Sequence, residues 1–197
     1  MEPISYIKFN CTRAAGAPSA AQTSDLLRVR RKLHARKWIG VTPDDIGYGN
    51  LSRRVGRTVR FLISGTGTGK RAKLTARDFV FVDRYDLARN RVWCRGALDA
   101  SAESMTHAAV YEADPRIKAV IHAHDRALWD RLLQTDLPCT PKEAEYGTPA
   151  IARAMRKAVK GMKRTSGVVV MGGHEEGLIA FGRTLDEAWE ALKAVAD

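Results

Sequence analysis

Residues 119–124, AVIHAH, are the stretch on which the reading of this chain turns. The apolar run beginning there is short and follows a helix-like segment that stops at Asp114-Pro115, so it reads as a strand. Side chains on a strand repeat every second residue, which sets His122 and His124 on one face with Val120 and Ile121 as an apolar wall. Two imidazoles roughly 7 Å apart at Cβ on one face can close on a single metal ion. The alternative is simply one polar strand face. His174, between Gly173 and Glu175 after another apolar stretch, can bring a third nitrogen from a loop.

Upstream of the strand, residues 101–113 (SAESMTHAAVYEA) have helical character, with Glu103 and His107 one turn apart on the same face. A glutamate beside a three-histidine metal can act as general base on a metal-held hydroxy-carbonyl compound. Otherwise it is a solvated helix carboxylate favoured by the helix dipole.

The remaining elements follow the same logic. A helix is expected from Ser24 and Asp25, with Leu26, Val29 and Leu33 on one face, ending before Gly40. Residues 42–50 read as loop, and 59–64, 79–83 and 91–94 as strands with a turn over 86–90. Helices are expected at 125–133 and at 149–162, the latter basic, amphipathic and opened by Pro149. Strands at 168–171 and 178–181 precede a last helix whose Thr184 and Glu187 have capping-box spacing. Trp38, Trp129 and Trp189 fall at core-packing positions. Residues 14–24 are small and polar, so the division expected is an arm over 1–23 and one domain over 24–197.

Composition narrows the function classes. The 197 residues include 33 Lys or Arg and 22 Asp or Glu, a net charge of +11, with 45% apolar and 28% charged residues, values of a globular chain. Cys11, Cys94 and Cys139 are odd in number and form no CxxC pair, which argues against a disulfide framework or a cysteine-rich zinc module and for a reducing cytoplasm. No apolar run approaches a membrane span and MEPISYIKFN has no leader pattern, so no membrane partner is expected. Basic runs at 28–37, 53–60, 70–73 and 153–164 read first as solvated faces. Aromatics are 7% and do not interleave with these runs, so nucleic acid is not the expected partner.

The glycine-rich SGTGTGK of 64–70 is no P-loop: Ser64 stands at the first glycine position and Arg71 follows the lysine where Ser or Thr would bind magnesium. Gly47-Tyr48-Gly49 is followed by Asn50, Leu51 and Ser52 and is no dinucleotide fingerprint. A zinc deaminase would need HxE and PCxxC, which are absent. The 64–69 segment does offer a run of backbone N–H groups suited to an anion.

In order along the chain stand Gly49-Asn50-Leu51-Ser52, Ile63-Ser64-Gly65-Thr66-Gly67, Leu74-Thr75-Ala76-Arg77-Asp78, Ser101-Ala102-Glu103, His122-Ala123-His124, and His174 ahead of Gly177-Leu178-Ile179-Ala180-Phe181-Gly182. This succession resembles the class II aldolase/adducin family from about Asp25 to the C-terminus. The resemblance implies an α/β fold, a three-layer α/β/α domain with a mixed, mostly antiparallel central sheet, assembled as a homotetramer with the active site between subunits. It implies His122, His124 and His174 as ligands of zinc or another divalent metal and Glu103 as acid/base. Gly49, Asn50, Thr66, Gly67 and Ser101 fall where the family grips substrate phosphate. Tyr146, in EYGTP, is the nearest candidate proton donor, with a structural role as its alternative.

Two departures bear on the substrate. Ala102 lacks a hydroxyl that the family carries there, and Glu175 and Glu176 are inserted between His174 and Gly177. The expected activity is a zinc-dependent, aldolase-like lyase acting on a small anionic hydroxy-carbonyl compound, a sugar phosphate or a sugar-acid derivative. The alternatives are a phosphosugar epimerase or decarboxylase on the same fold, or a non-catalytic adducin-like interaction domain. Glutamate at position 103, where the epimerases carry aspartate, tilts the choice toward aldol cleavage or decarboxylation.

Overall fold

The histidine strand lies inside an eight-stranded sheet, with a partner on each side. The computed structural model describes residues 9–197, so the first eight residues of the expected arm lie outside the described residues. In chain order the elements are β1 (Asn10–Ala14), α1 (Ala20–Ala35), β2 (Gly40–Val41), β3 (Gly47–Tyr48), β4 (Asn50–Arg54), β5 (Phe61–Ser64), β6 (Phe79–Asp86) and β7 (Arg91–Arg95). Then come α2 (Ser104–Ala113), β8 (Ala119–His124), α3 (Arg126–Leu132), α4 (Pro149–Met162), β9 (Gly167–Val170), β10 (Gly177–Gly182) and α5 (Leu185–Ala196). The sheet order is β1-β7-β6-β5-β4-β8-β10-β9. β1 and β7 run parallel and the other neighbours antiparallel.

Strand alternation sends apolar side chains to both faces, and helices cover each. Leu51, Leu62, Ile121 and Leu178 pack with Leu26, Leu33, Leu128, Trp129 and Trp189 of α1, α3 and α5. Phe61, Ile63, Val120 and Ile179 pack with Met105, Ile151, Met155 and Val159 of α2 and α4. The result is the three-layer α/β/α domain with a mixed, mostly antiparallel sheet. Trp38, Trp129 and Trp189 are all buried, as expected of core residues. Among the described residues no helix is long and apolar enough to cross a membrane.

Several boundaries differ from the sequence expectation. Helix α1 starts at Ala20, ahead of Ser24, because Ser19 and Gln22 form a reciprocal capping box that satisfies two helix-end donors. Helix α2 starts at Ser104, so Glu103 stands at its N-cap position rather than inside the helix. The 42–50 segment is the turn and second strand of the short β2–β3 hairpin, whose first strand precedes it, and it ends as β4 begins. Gly49 between them has φ +73°, and a Cβ there would lie 2.7 Å from Ile39 Cγ1 and 2.8 Å from the Trp38 carbonyl. Only glycine fits that approach, and it sets Asn50 opposite His122 in the ladder. At the sheet edge, β1 brings Cys11 Sγ to 3.3 Å from Cys94 Sγ, and all three cysteines are free thiols.

Candidate metal centre

β8 supplies His122 and His124, and the β9–β10 connection supplies His174. That connection is a tight turn in which the His174 N–H donates to Met171 O at 3.2 Å and the Gly177 N–H donates to His174 O at 2.9 Å. The register of β8 against β10 sets His124 opposite Gly177, directly after the turn. The three ring centroids therefore lie 4.7, 5.0 and 4.8 Å apart, and one ligand nitrogen from each ring falls within 4.8 Å of the others.

The ring nitrogens are sorted by what stands behind them. His122 Nδ1 lies 3.2 Å from the Leu178 carbonyl, to which it donates, leaving Nε2 as the lone-pair atom. That Nε2 is 3.0 Å from His124 Nε2, so two ring nitrogens converge on one point. His124 Nδ1, on the far side, is 3.9 Å from Glu176 Oε2. A metal-ligating histidine commonly has a carbonyl or carboxylate behind its other nitrogen, and two of these rings do. Burial pushes the His122 imidazole down to about 4, with Glu103 opposing and His174 adding to the shift. Burial and then the two neighbouring rings hold His124 well below its ordinary value. Neutral imidazole is the form that binds a metal, so three-nitrogen coordination of zinc or a similar divalent ion fits the residues present.

The inserted glutamates part company. Glu176, at φ +65°, turns toward His124, whereas Glu175 is 77% exposed and 3.5 Å from Arg126.

Glu103 is 3% exposed. Thr106 donates its hydroxyl to Glu103 Oε2 at 2.6 Å, and Oε1 lies 3.5 Å from His174 Nδ1 with no hydrogen-bond partner of its own. His107 does not join this carboxylate. Its Nδ1 meets Ser52 Oγ at 2.7 Å, and Ser52 Oγ meets the Tyr111 hydroxyl at 2.7 Å, all within the core. The shared face expected for Glu103 and His107 fails because Glu103 precedes the first helical residue and its side chain is held by the Thr106 hydroxyl, not placed by the helical period.

One cavity of about 270 Å³ is lined by all ten residues singled out from the sequence: Gly49, Asn50, Thr66, Gly67, Ser101, Glu103, His122, His124, Tyr146 and His174. Tyr146 stacks on His174 with centroids 4.7 Å apart and planes at 28°. Tyr48 and Thr68 also line the cavity and were not singled out. The signal for Tyr48 was its place in Gly47-Tyr48-Gly49, next to the glycine that turns the chain into β4. Its ring lies 5.3 Å from that of His124. Among the described residues no lysine or arginine lines the cavity. Lys70 and Arg71, which follow the glycine loop, are engaged by Asp45 at 2.8 Å and Asp78 at 2.6 Å.

The family model of the Class II Aldolase and Adducin N-terminal domain matches residues 24–197. Among solved structures, the L-fuculose-1-phosphate aldolase of Thermus thermophilus is similar with a TM-score of 0.66 and 22% identity, covering 90% of this chain and 90% of that one. YgbL of Klebsiella pneumoniae, described as a putative aldolase/epimerase/decarboxylase, is similar with a TM-score of 0.64 and 21% identity over 91% of this chain and 87% of that one. The sugar-phosphate aldolase of Thermotoga maritima has a TM-score of 0.67 and 15% identity over 89% and 90%. At these identities the likeness is one of fold; the match to the family over residues 24–197 is the stronger finding. This chain belongs to the class II aldolase and adducin N-terminal domain family.

Proposed function

We propose that the protein is a zinc-dependent, aldolase-like lyase that breaks or forms a carbon–carbon bond in a small anionic hydroxy-carbonyl compound, a sugar phosphate or a sugar-acid derivative. The observation that carries this reading is Glu103 Oε1, a buried carboxylate oxygen without a hydrogen-bond partner, 3.5 Å from His174 in the cavity that holds all three histidines. A buried polar atom left unsatisfied is costly for a scaffold and useful to a reaction.

In this reading His122, His124 and His174 hold the metal ion. Zinc there supplies Lewis-acid polarisation of a carbonyl and its neighbouring hydroxyl. Glu103 Oε1 takes or returns the proton at the carbon beside the carbonyl. In cleavage, the hydroxyl of the departing aldehyde gives its proton to a base at that oxygen, the carbon–carbon electrons pass to the carbonyl side, and Glu103, starting protonated, delivers its proton to the carbon left behind and is reprotonated from solvent, to which the base returns its own proton. Tyr146, held against His174, is the candidate group at the aldehyde oxygen. Gly49, Asn50, Thr66, Gly67 and Ser101 seat the anionic end of the substrate. Residues 24–197 form the catalytic domain, working as a homotetramer in the cytoplasm, where free thiols persist.

The test is elemental analysis of the protein together with a retro-aldol assay on phosphorylated and carboxylated hydroxy-carbonyl compounds. The expected result is about one zinc per chain, lost in His122→Ala along with aldehyde release. Wild-type protein that stays metal-free after reconstitution with zinc would overturn the reading.

A further inference from the structure

Arg30 of α1 is a buried cation with no counter-ion. It is 2% exposed, and among the described residues no carboxylate lies within ion-pair distance of it. Its Nη2 donates to the carbonyls of Thr68, Gly69 and Arg71 at 3.3, 3.0 and 2.9 Å, while its buried Nη1 has no hydrogen-bond partner. Asp78, the carboxylate attached to the same loop, is taken by Arg71 and by the Thr75 N–H. Burial and then the charge of Arg71 lower the guanidinium to about 10, which leaves it a cation at neutral pH. An uncompensated buried charge is expensive, and an anion near it removes much of that cost.

The loop that Arg30 holds is the cavity wall. Thr68 and Gly69, whose carbonyls turn to Arg30, line the cavity together with Gly65, Thr66 and Gly67. Among the described residues no peptide is cis, and in a trans peptide the N–H points opposite to the carbonyl. The N–H groups of Gly69 and Lys70 therefore face away from Arg30. The amides of Gly67, Thr68 and Gly69 donate no backbone hydrogen bond among the described residues. Of these, the Gly69 N–H has the positive charge of Arg30 behind it, and the run of three unbonded amides offers an anion seat in a cavity that, among the described residues, has no lysine or arginine in its own lining.

We propose that Arg30 is a positioning residue that acts through the 65–69 loop, turning its carbonyls inward and supplying the positive charge for a phosphoryl oxyanion seated on the cavity side. A dianion suits the several N–H groups, and the hydroxyls of Thr66 and Ser101, better than a carboxylate does. The inference rests on the reading of this cavity as the substrate site.

The experiment is a titration of inorganic phosphate, with acetate as the comparison, into the full chain at constant ionic strength, read by amide NMR shifts and calorimetry. The variants are Arg30→Met, Arg30→Lys and His122→Ala, the last because phosphate cannot be held there through the full histidine set. Phosphate is expected to shift the amides of Gly67, Thr68 and Gly69 in wild type and in His122→Ala. Arg30→Met is expected to weaken phosphate about tenfold, and Arg30→Lys to recover most of that loss. Equal phosphate affinity in Arg30→Met, tighter acetate than phosphate, or shifts confined to another surface would overturn the proposal. If Arg30→Met does not fold, the wild-type shift map and Arg30→Lys decide it on the same terms. A chain that binds phosphate as expected but takes up no zinc would retain this inference and lose the lyase reading. The reverse pattern would retain the lyase and lose the role of Arg30.

Discussion

The strands β4, β8 and β10 carry a cleft at each end, and the two clefts are opposites. At one end Asn50, His122, His124 and Gly177 border a cavity whose polar groups are buried or half-buried and whose lining, among the described residues, contains no lysine or arginine. At the other, Arg54, Arg57, Arg116, Lys118 and Arg183 line an open groove. The side chains of Arg116 and Arg183 there are 67% and 63% exposed and already paired with Asp114 and Glu187. Water stabilises exposed charge at little cost, so a basic groove needs no further account. A buried carboxylate, three buried or half-buried histidines and a buried arginine without a counter-ion among the described residues do. The +11 balance is thus a property of the surface and a poor pointer to the chemistry.

The contrast breaks first at Glu103. Glu103→Gln keeps the volume and the Thr106 contact but removes the basic oxygen, so turnover should fall about 10²–10⁴-fold while zinc content stays unchanged. A loss under tenfold would move acid/base work to another group, with Tyr146 next to be tested.

A smaller effect concerns the buried histidines without metal. His122 sits near 4 in the folded chain and near 6.5 when unfolded, so between those values the unfolded state binds the extra proton. Stability of chelator-treated protein should therefore fall as pH drops from about 6.5 to 4, by about 3 kcal/mol from His122 alone, and His124 acts in the same direction. Urea unfolding at several pH values measures this, with His122→Ala expected to show a shallower slope. Equal slopes in the two proteins would show that His122 is not held neutral by burial.

The smallest effect is expected at the basic end. Arg57→Ala and Lys118→Ala should leave kcat/KM within about twofold, with only a change in salt dependence through long-range steering. A tenfold loss would mean that the groove takes part in the reaction and that the two ends are not separate.

The chemistry-bearing residues were largely legible because they lie in short ordered motifs whose local geometry is strict. Period-two alternation aligned His122 with His124, and the start of α4 followed from Pro149, to which the structure adds Thr148 as the cap. Where two start signals competed, the reading erred: Ser24-Asp25 hid the capping box at Ser19, and SAE was read as helix when its glutamate is a cap. Beyond Asn50, which ends the loop expected over 42–50, β4 carries no strand signal of its own, because Asn50, Ser52 and Arg53 resemble turn residues, and only pairing with β5 and β8 makes them a strand.

By itself the sequence determined most of the helices and the longer strands, the family and the residues that can bind a metal, since periodicity, caps and motif order are local properties of the chain. Tertiary structure alone decided which partner each side chain meets. It sent His107 into a core network with Ser52 and Tyr111, turned Glu176 toward His124 and Glu175 outward, and brought Cys11 beside Cys94 across 83 residues. It also hid Arg30, drawn from the most basic run of the sequence, behind the glycine loop. Long-range packing sets burial, and burial sets which charges require an answer.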